Sequence, residues 1–127
     1  MNHQFQKHYT REEANALLPQ IRRWLGQLNQ LREDLQRCEK RLSGLTEQGN
    51  DIGGATVNNW IRALADMQEL LAEFQRREIF IKDLERGLLD FPALIGDKEV
   101  FLCWESDEDA VEFWHDLETG FGGRERL

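Results

Sequence analysis

The stretch KDLERGLLDFP, residues 82–92, decides how this chain of 127 residues is interpreted. It sets charged side chains, a glycine and an aromatic ring beside a proline, a mixture that a plain helical hairpin does not require. The sequence that follows has the same character, with Cys103-Trp104, Phe113-Trp114-His115 and the glycine-rich run 120–124. We therefore expect any functional site to lie between residues 82 and 124.

Upstream of this stretch, apolar residues recur every three or four positions, which is typical of amphipathic helices. The first stripe predicts a helix over residues 10–45. Thr10 and Glu13 fit a capping box at its start, and Pro19 predicts a kink. The second stripe predicts a helix over residues 56–77. The apolar members of the two stripes are Ala14, Leu17, Leu18, Ile21, Trp24, Leu25, Leu28, Leu31, Leu35, Cys38, Leu42 and Leu45, then Val57, Trp60, Ile61, Leu64, Met67, Leu71 and Phe74.

A glycine-rich polar connection from Gly44 to Gly54 separates the two stripes. We expect the helices to pack as a long antiparallel hairpin, because their seams match. The first helix is the longer, so part of its apolar surface needs a cover from the C-terminal region or from a second chain. Its heptad-like spacing resembles a coiled coil and favours a homodimer formed through the long helices.

Beyond Arg77 the pattern changes from helical spacing to strands. Alternation at 79–81 predicts a strand, and residues 88–94 predict another, placed at an edge or a strand end because of Pro92. A turn at 96–98 precedes the clearest strand, Val100 to Trp104. A turn at 106–109 and a returning strand at 110–115 complete a small antiparallel meander over 79–127. The fold class is therefore α+β, in a single domain covering residues 1–127.

Charge and composition exclude several functions. The net charge is −8, with a balance of +3 over residues 1–45 and −11 over residues 46–127. An acidic C-terminal part disfavours nucleic acid and anionic membrane surfaces. The N-terminus has no signal-peptide core, and no apolar run is long enough to span a bilayer. Two cysteines form no disulfide framework, so we expect a cytoplasmic protein.

Several blocks of the sequence resemble an uncharacterised prokaryotic family, domain of unknown function 2203. The blocks are residues 9–10 with 12–15 and 17–19, then 82–85, 87–92, 102–104, 114–115 and 120–124. They follow one another in order along nearly the whole chain, which makes the resemblance specific. Two departures stand out: Arg77-Glu78 replaces a Gly that many relatives carry, and Ser106-Asp107 replaces a Gly-Glu turn. The resemblance implies a fold group and no known activity.

The candidate site residues are the polar and aromatic side chains of the C-terminal region. They are Lys82, Asp83, Glu85, Asp90, Trp104, Trp114, His115 and Arg124. A divalent metal, zinc or manganese, is the cofactor that carboxylates and an imidazole favour, with Asp83, Glu85 and His115 as its predicted ligands. The competing interpretations are structural. In these, His115 hydrogen-bonds Asp83 or Asp90, and Arg124 pins the tail to the acidic body.

The register of the last hairpin decides whether Cys103 and His115 meet. If Glu105 pairs with Ala110, Cys103 lies on the opposite face of the sheet from His115, and a change of one residue reverses this. The first register gathers more aliphatic residues on one face, so it is the one we expect. Gly87 is expected to supply a turn with positive φ.

Two functions follow as hypotheses. The first is a non-enzymatic interaction or scaffold module with an unknown protein partner, since no catalytic motif is present and the first helix exceeds its partner in length. The alternative is a metal-binding or small-ligand-binding protein, or a metal-dependent enzyme. It would use the three carboxylates Asp83, Glu85 and Asp90 together with His115.

Overall fold

The structure is a computed structural model that describes residues 2–47 and 54–127. Two helices precede a five-stranded antiparallel sheet whose strands follow chain order, which confirms the predicted α+β class and the meander. The elements are α1 (Arg11–Glu47), α2 (Gly54–Arg76), β1 (Phe80–Asp83), β2 (Leu88–Ile95), β3 (Lys98–Trp104), β4 (Phe113–Asp116), a 3-10 turn (Phe121–Gly123) and β5 (Glu125–Arg126).

Local sequence signals place the start of α1. The Thr10 hydroxyl accepts from the Glu13 amide at 3.1 Å, and the Glu13 carboxylate accepts from the Thr10 amide at 2.9 Å. This reciprocal pair satisfies two of the helix's first amides, so the predicted capping box is confirmed. The helix continues through Pro19.

The helix ends differ from the prediction by a few residues. Gly44 does not begin the connection, because α1 continues to Glu47, and Gly54 opens α2 instead of preceding it. Glycine is tolerated at a helix terminus, where few intrahelical bonds depend on it. The remainder of the predicted connection, residues 48–53, lies outside the described residues.

The chain divides into two compact units: Met1–Leu25 with Glu73–Leu127, and Gly26–Ala72. In the first unit, the early turns of α1 dock on the region around the β3–β4 connection. The Arg22 guanidinium lies over the Trp104 ring at 4.9 Å, and the Asn15 side chain accepts from the Val111 amide at 2.7 Å. Four apolar residues of this part of α1 are buried: Ala14, Leu18, Ile21 and Leu25.

The turn after α2 contains a conformation that side chains rarely adopt. Glu78 has φ 54 and is the one described residue other than glycine with positive φ. Glu78 belongs to the pair Arg77-Glu78, where the family resemblance implies a glycine. The Glu78 carboxylate accepts from the amides of Gln6 and Lys7 at 2.9 and 2.7 Å, so the side chain fastens the N-terminal segment. These bonds offset the left-handed backbone.

Strand β2 is internal, with β1 and β3 on its two sides, so the prediction of an edge or strand end is wrong for the strand as a whole. The β1 pairing with β2 reaches only to Asp90. Beyond it, the carbonyl of Pro92 accepts from the Tyr9 amide at 2.7 Å, on the side away from β3. The proline nitrogen faces the same side, where no ladder bond is required of it.

The register between β3 and β4 corrects the sequence analysis. Phe101 pairs with His115 and Cys103 with Phe113, which is one residue away from the register we expected. A shift by one residue moves every side chain of a strand to the other face. Cys103 and His115 therefore share a face of the sheet.

The two faces of the sheet have different covers. One face carries the apolar residues Leu89, Phe91, Ala93, Val100, Leu102 and Trp104, all buried. The opposite face carries Asp90, Phe101, Cys103 and His115, also buried, and its cover comes from the chain ends. Phe5 packs on Phe101 with ring centroids 5.4 Å apart. Polar side chains are thus held within the fold on this second face.

Neither helix, over the residues that the structure describes, has an apolar stretch that would reach across a lipid bilayer.

Candidate functional site

Three side chains with metal-binding chemistry meet on the polar face of the sheet. Asp90 comes from β2, Cys103 from β3 and His115 from β4, and the strand pairings place them side by side. One ligand atom from each lies within 4.8 Å of the other two. All three residues are buried. We refer to Asp90, Cys103 and His115 as the sheet cluster.

The hydrogen bonds of His115 locate the proton on its Nδ1 atom. Its Nδ1 is 2.7 Å from the backbone oxygen of Asp116, and its Nε2 is 2.9 Å from Oδ1 of Asp90. A carbonyl oxygen only accepts, so Nδ1 carries a hydrogen. A single proton then joins Nε2 to the Asp90 carboxyl, on either partner. The predicted hydrogen bond from His115 to Asp90 is confirmed.

Burial raises the pKa of both acidic members of the sheet cluster, Asp90 and Cys103. It raises the pKa of Asp90, against the opposing influence of the His115 bond. Burial, followed by the charge of Asp90, also raises the pKa of the Cys103 thiol to about 11. A thiol with such a pKa is a poor nucleophile at neutral pH. The imidazole bonds to the carboxyl, so the cluster is not arranged as a cysteine–histidine nucleophile.

A cavity of about 250 Å³ opens beside the sheet cluster. Asp90 and His115 form part of its wall, and Lys82 is the one cation among the described residues that line it. The remaining lining residues are Leu88, Phe101, Leu117, Glu118, Gly120 and Phe121. Two donors of the sheet cluster, Asp90 and His115, therefore line a mainly apolar cavity.

The predicted metal ligands Asp83 and Glu85 belong elsewhere. Asp83 ends β1, and its Oδ1 accepts from the Arg86 amide at 3.1 Å in the tight turn before β2. Glu85 is exposed in that turn. Among the described residues, neither is part of a group of ligand atoms that includes His115. The structure gathers Asp90 and Cys103 around His115 instead.

The two predicted tryptophans do not line the cavity. Trp104 lies on the apolar face, and its Nε1 donates to the Glu108 backbone oxygen at 3.0 Å. Trp114 pairs with Leu102 and therefore belongs to that same face. Both side chains therefore lie on the apolar face of the sheet.

Arg124 holds the C-terminal segment to the body of the protein. Its guanidinium contacts both carboxylate oxygens of Glu108, at 3.2 and 2.7 Å. It also lies over the rings of Phe113 and Phe121, at 4.0 and 4.2 Å. The interpretation of Arg124 as a structural pin is confirmed. The Arg124 guanidinium also lies 4.0 Å from Cys103 Sγ, so Arg124 borders the sheet cluster on the side of the thiol.

A second group of possible ligands, absent from the sequence analysis, lies at the N-terminal segment. It consists of His3, His8 and Glu99, and all three are at least partly exposed. The Glu99 carboxylate already accepts from the Gln4 and Phe5 amides and contacts His8 Nε2 at 2.7 Å. Glu99 lies about ninety positions from the two histidines along the chain, and no motif spacing reveals such a group.

Comparison with protein families identifies one that matches nearly the whole chain. A family described as uncharacterized conserved protein (DUF2203) matches residues 7–127. The chain belongs to this family. The match contains every strand, the sheet cluster and both helices, so the resemblance stated above is confirmed. Comparisons with curated proteins and with solved structures found no match.

Proposed function

We propose that this protein binds a divalent transition metal, zinc in the first place, through Asp90, Cys103 and His115. The observation that carries the proposal is the convergence of a carboxylate, a thiol and an imidazole within 4.8 Å on one face of the sheet. Zinc accepts this donor set, and the thiolate favours zinc over manganese.

The surroundings of His115 support the same proposal. A metal-ligating histidine typically donates its other ring N–H to a carbonyl or carboxylate, which fixes the ring and its tautomer. Nδ1 of His115 already makes that bond to the Asp116 backbone oxygen. The Nε2 lone pair is thereby directed at Asp90, where a metal would replace the shared proton.

Charge balance also favours a divalent ion. A thiolate and a carboxylate carry two negative charges, and together with a neutral imidazole they neutralise a divalent cation. A neutral assembly avoids the large cost of burying net charge. Metal binding then displaces the thiol proton of Cys103, whose pKa is about 11 in the metal-free protein.

The decisive measurement is elemental analysis of protein purified without chelator or affinity tag and then dialysed against buffered zinc. We expect about one equivalent of metal per chain, lost in Cys103→Ser and in His115→Ala. Cys38→Ser is the matched control, because Cys38 is the other free cysteine and lies outside the sheet cluster. His3→Ala removes one member of the N-terminal group of His3, His8 and Glu99. This variant should keep its zinc if the sheet cluster holds the metal. Wild-type protein without metal, or a Cys103→Ser variant that keeps its metal, would contradict the proposal.

We also propose a role as an interaction module that forms a homodimer through the helices of residues 26–72. The observation that favours it is incomplete burial of the hairpin's own apolar stripe. Eight seam residues are only half-buried: Leu31, Cys38, Leu42, Val57, Trp60, Leu64, Met67 and Leu71. Two helices alone cannot enclose both stripes, and a second hairpin would convert the pair into a four-helix arrangement.

The groove of this hairpin suits a second copy of the same chain. It measures about 460 Å³ and is lined in part by Arg37, Arg41 and Arg62 together with Asp34 and Asp66. A twofold interface brings a patch against itself, so a surface with both charge signs can be self-complementary.

Light scattering at micromolar concentration tests the homodimer. We expect a dimer that Arg62→Glu dissociates, because charge reversal leaves the groove without its self-complementarity. Gln68→Glu is the matched control: this exposed side chain is also on α2 but does not line the groove. A wild-type monomer at these concentrations, or equal responses of the two variants, would rule out this interface.

A further inference from the structure

We infer that the open coordination position of the proposed metal takes a small carboxylate with a short apolar tail, bound in the cavity beside Lys82. The inference rests on the proposed metal site and extends it to a class of ligand. It follows from three observations: which cluster members reach the cavity, where Lys82 lies, and what lines the remaining wall.

The cavity gives direct access to two of the three donors. Asp90 and His115 line it, whereas Cys103 lies behind them and does not. A metal bound by all three would therefore have protein on the thiol side and open space on the other. Zinc with three protein ligands keeps a fourth tetrahedral position for water or a substrate atom. In this fold that position faces the cavity.

Lys82 supplies a second attraction for an anion. Its ammonium lies over the rings of Phe80 and Phe101, at 5.7 and 5.8 Å. Lys82 lines the same cavity as Asp90 and His115. A carboxylate bound to the metal through one oxygen would present the other oxygen to this ammonium.

The rest of the wall selects among anions. Apolar side chains of Leu88, Phe101, Leu117 and Phe121 line the chamber. Among the described lining residues, the exposed Glu118 is the one charged side chain besides Lys82 and the sheet cluster. The apolar lining suits a hydrocarbon tail, and the Glu118 carboxylate disfavours a multiply charged anion such as phosphate. A volume of about 250 Å³ admits a ligand of only a few carbon atoms.

The experiment uses full-length protein loaded with cobalt(II), whose visible absorption reports the ligands around the metal. Butyrate is the probe, with inorganic phosphate and chloride as comparison anions. We expect butyrate to change the cobalt spectrum in a saturable manner, and more strongly than phosphate. In Lys82→Met we expect cobalt to bind with unchanged stoichiometry and the butyrate dissociation constant to rise about tenfold or more.

Lys98→Met is the matched control, because Lys98 pairs with Asp116 and lies over Trp114, outside the cavity lining. It should leave the butyrate response unchanged. A cobalt spectrum that no anion alters, or a butyrate response that Lys82→Met does not weaken, overturns the inference while the metal site stands. Protein that binds no cobalt overturns the proposed metal site itself, so the two failures are distinguishable.

Discussion

Replacing Asp90 with alanine is expected to lower the free energy of unfolding of the metal-free protein by about 1–3 kcal/mol. Asp90 and His115 are both buried and joined by a hydrogen bond of 2.9 Å. Removal of the carboxyl leaves Nε2 of His115 in the interior with no partner, and an unpaired buried polar atom retains its full desolvation penalty. The loss should appear as a lower midpoint in urea unfolding followed by circular dichroism.

Asp90→Asn provides the control that separates hydrogen bonding from the loss of volume. The hydrogen on Nδ1 of His115 is directed to the Asp116 oxygen, so Nε2 of the neutral ring is an acceptor. The asparagine amide can donate to that acceptor and fills nearly the same space. We expect Asp90→Asn to be close to wild type in stability and to bind metal much more weakly. Equal destabilisation by alanine and asparagine would show that the bond to His115 contributes little.

This pair of variants also separates two roles that the same geometry permits. A purely structural pair predicts that metal content is zero in every variant and that stability follows hydrogen bonding alone. A metal centre predicts that zinc raises the stability of the wild-type protein, because a ligand that binds only the folded state stabilises it. The Asp90→Asn variant should then resemble wild type without zinc and fall below it with zinc present.

Elements whose determinants are close in sequence were predicted well. The capping box joins Thr10 and Glu13, three positions apart, and both of its bonds are present. The tight turn between β2 and β3 needed only the run 96–98, and Gly87 has the expected positive φ, of 64°. These features depend on the backbone and its nearest side chains, which a local pattern contains.

The register of the last hairpin failed because distant residues determine it. The β3–β4 connection is not a tight turn: the Glu105 amide donates to the Glu108 carboxylate, and the Val111 amide donates to Asn15 of α1. Arg22 of α1 also donates to the backbone oxygens of this connection. A choice based on aliphatic residues per face could not include these contacts with a helix more than eighty positions away.

The incorrect register also affected the predicted site, because it placed Cys103 and His115 on opposite faces of the sheet. Cys103 was separated from His115 only by the assumed register, and with the observed pairing the two residues share a face with Asp90. Asp83 and Glu85 were favoured as ligands because they are dense in charge, yet they belong to a turn whose geometry uses Asp83 as an acceptor. Charge density directed the prediction to residues 82–92, while the strand pairing determines which side chains form the sheet cluster.

Replacing Gly87 with alanine is expected to lower the free energy of unfolding by about 2–4 kcal/mol, for two separable reasons. Gly87 has φ +64, a conformation that an L side chain adopts only with strain. A Cβ there would also lie 2.6 Å from Cβ and 2.7 Å from Oγ of Ser106. That serine cannot move freely, because its hydroxyl donates to the Arg86 oxygen at 2.8 Å.

Two further variants divide this loss into its parts. Gly96→Ala meets the same strain, at φ +62, but its Cβ enters open space, so we expect a loss of only about 1 kcal/mol. Gly87→Ala combined with Ser106→Gly removes the clashing side chain, and we expect the double variant to be more stable than the sum of the single effects predicts. If Gly87→Ala and Gly96→Ala were equally destabilising in urea unfolding, the contact with Ser106 would not constrain this turn, and backbone strain alone would explain the glycine.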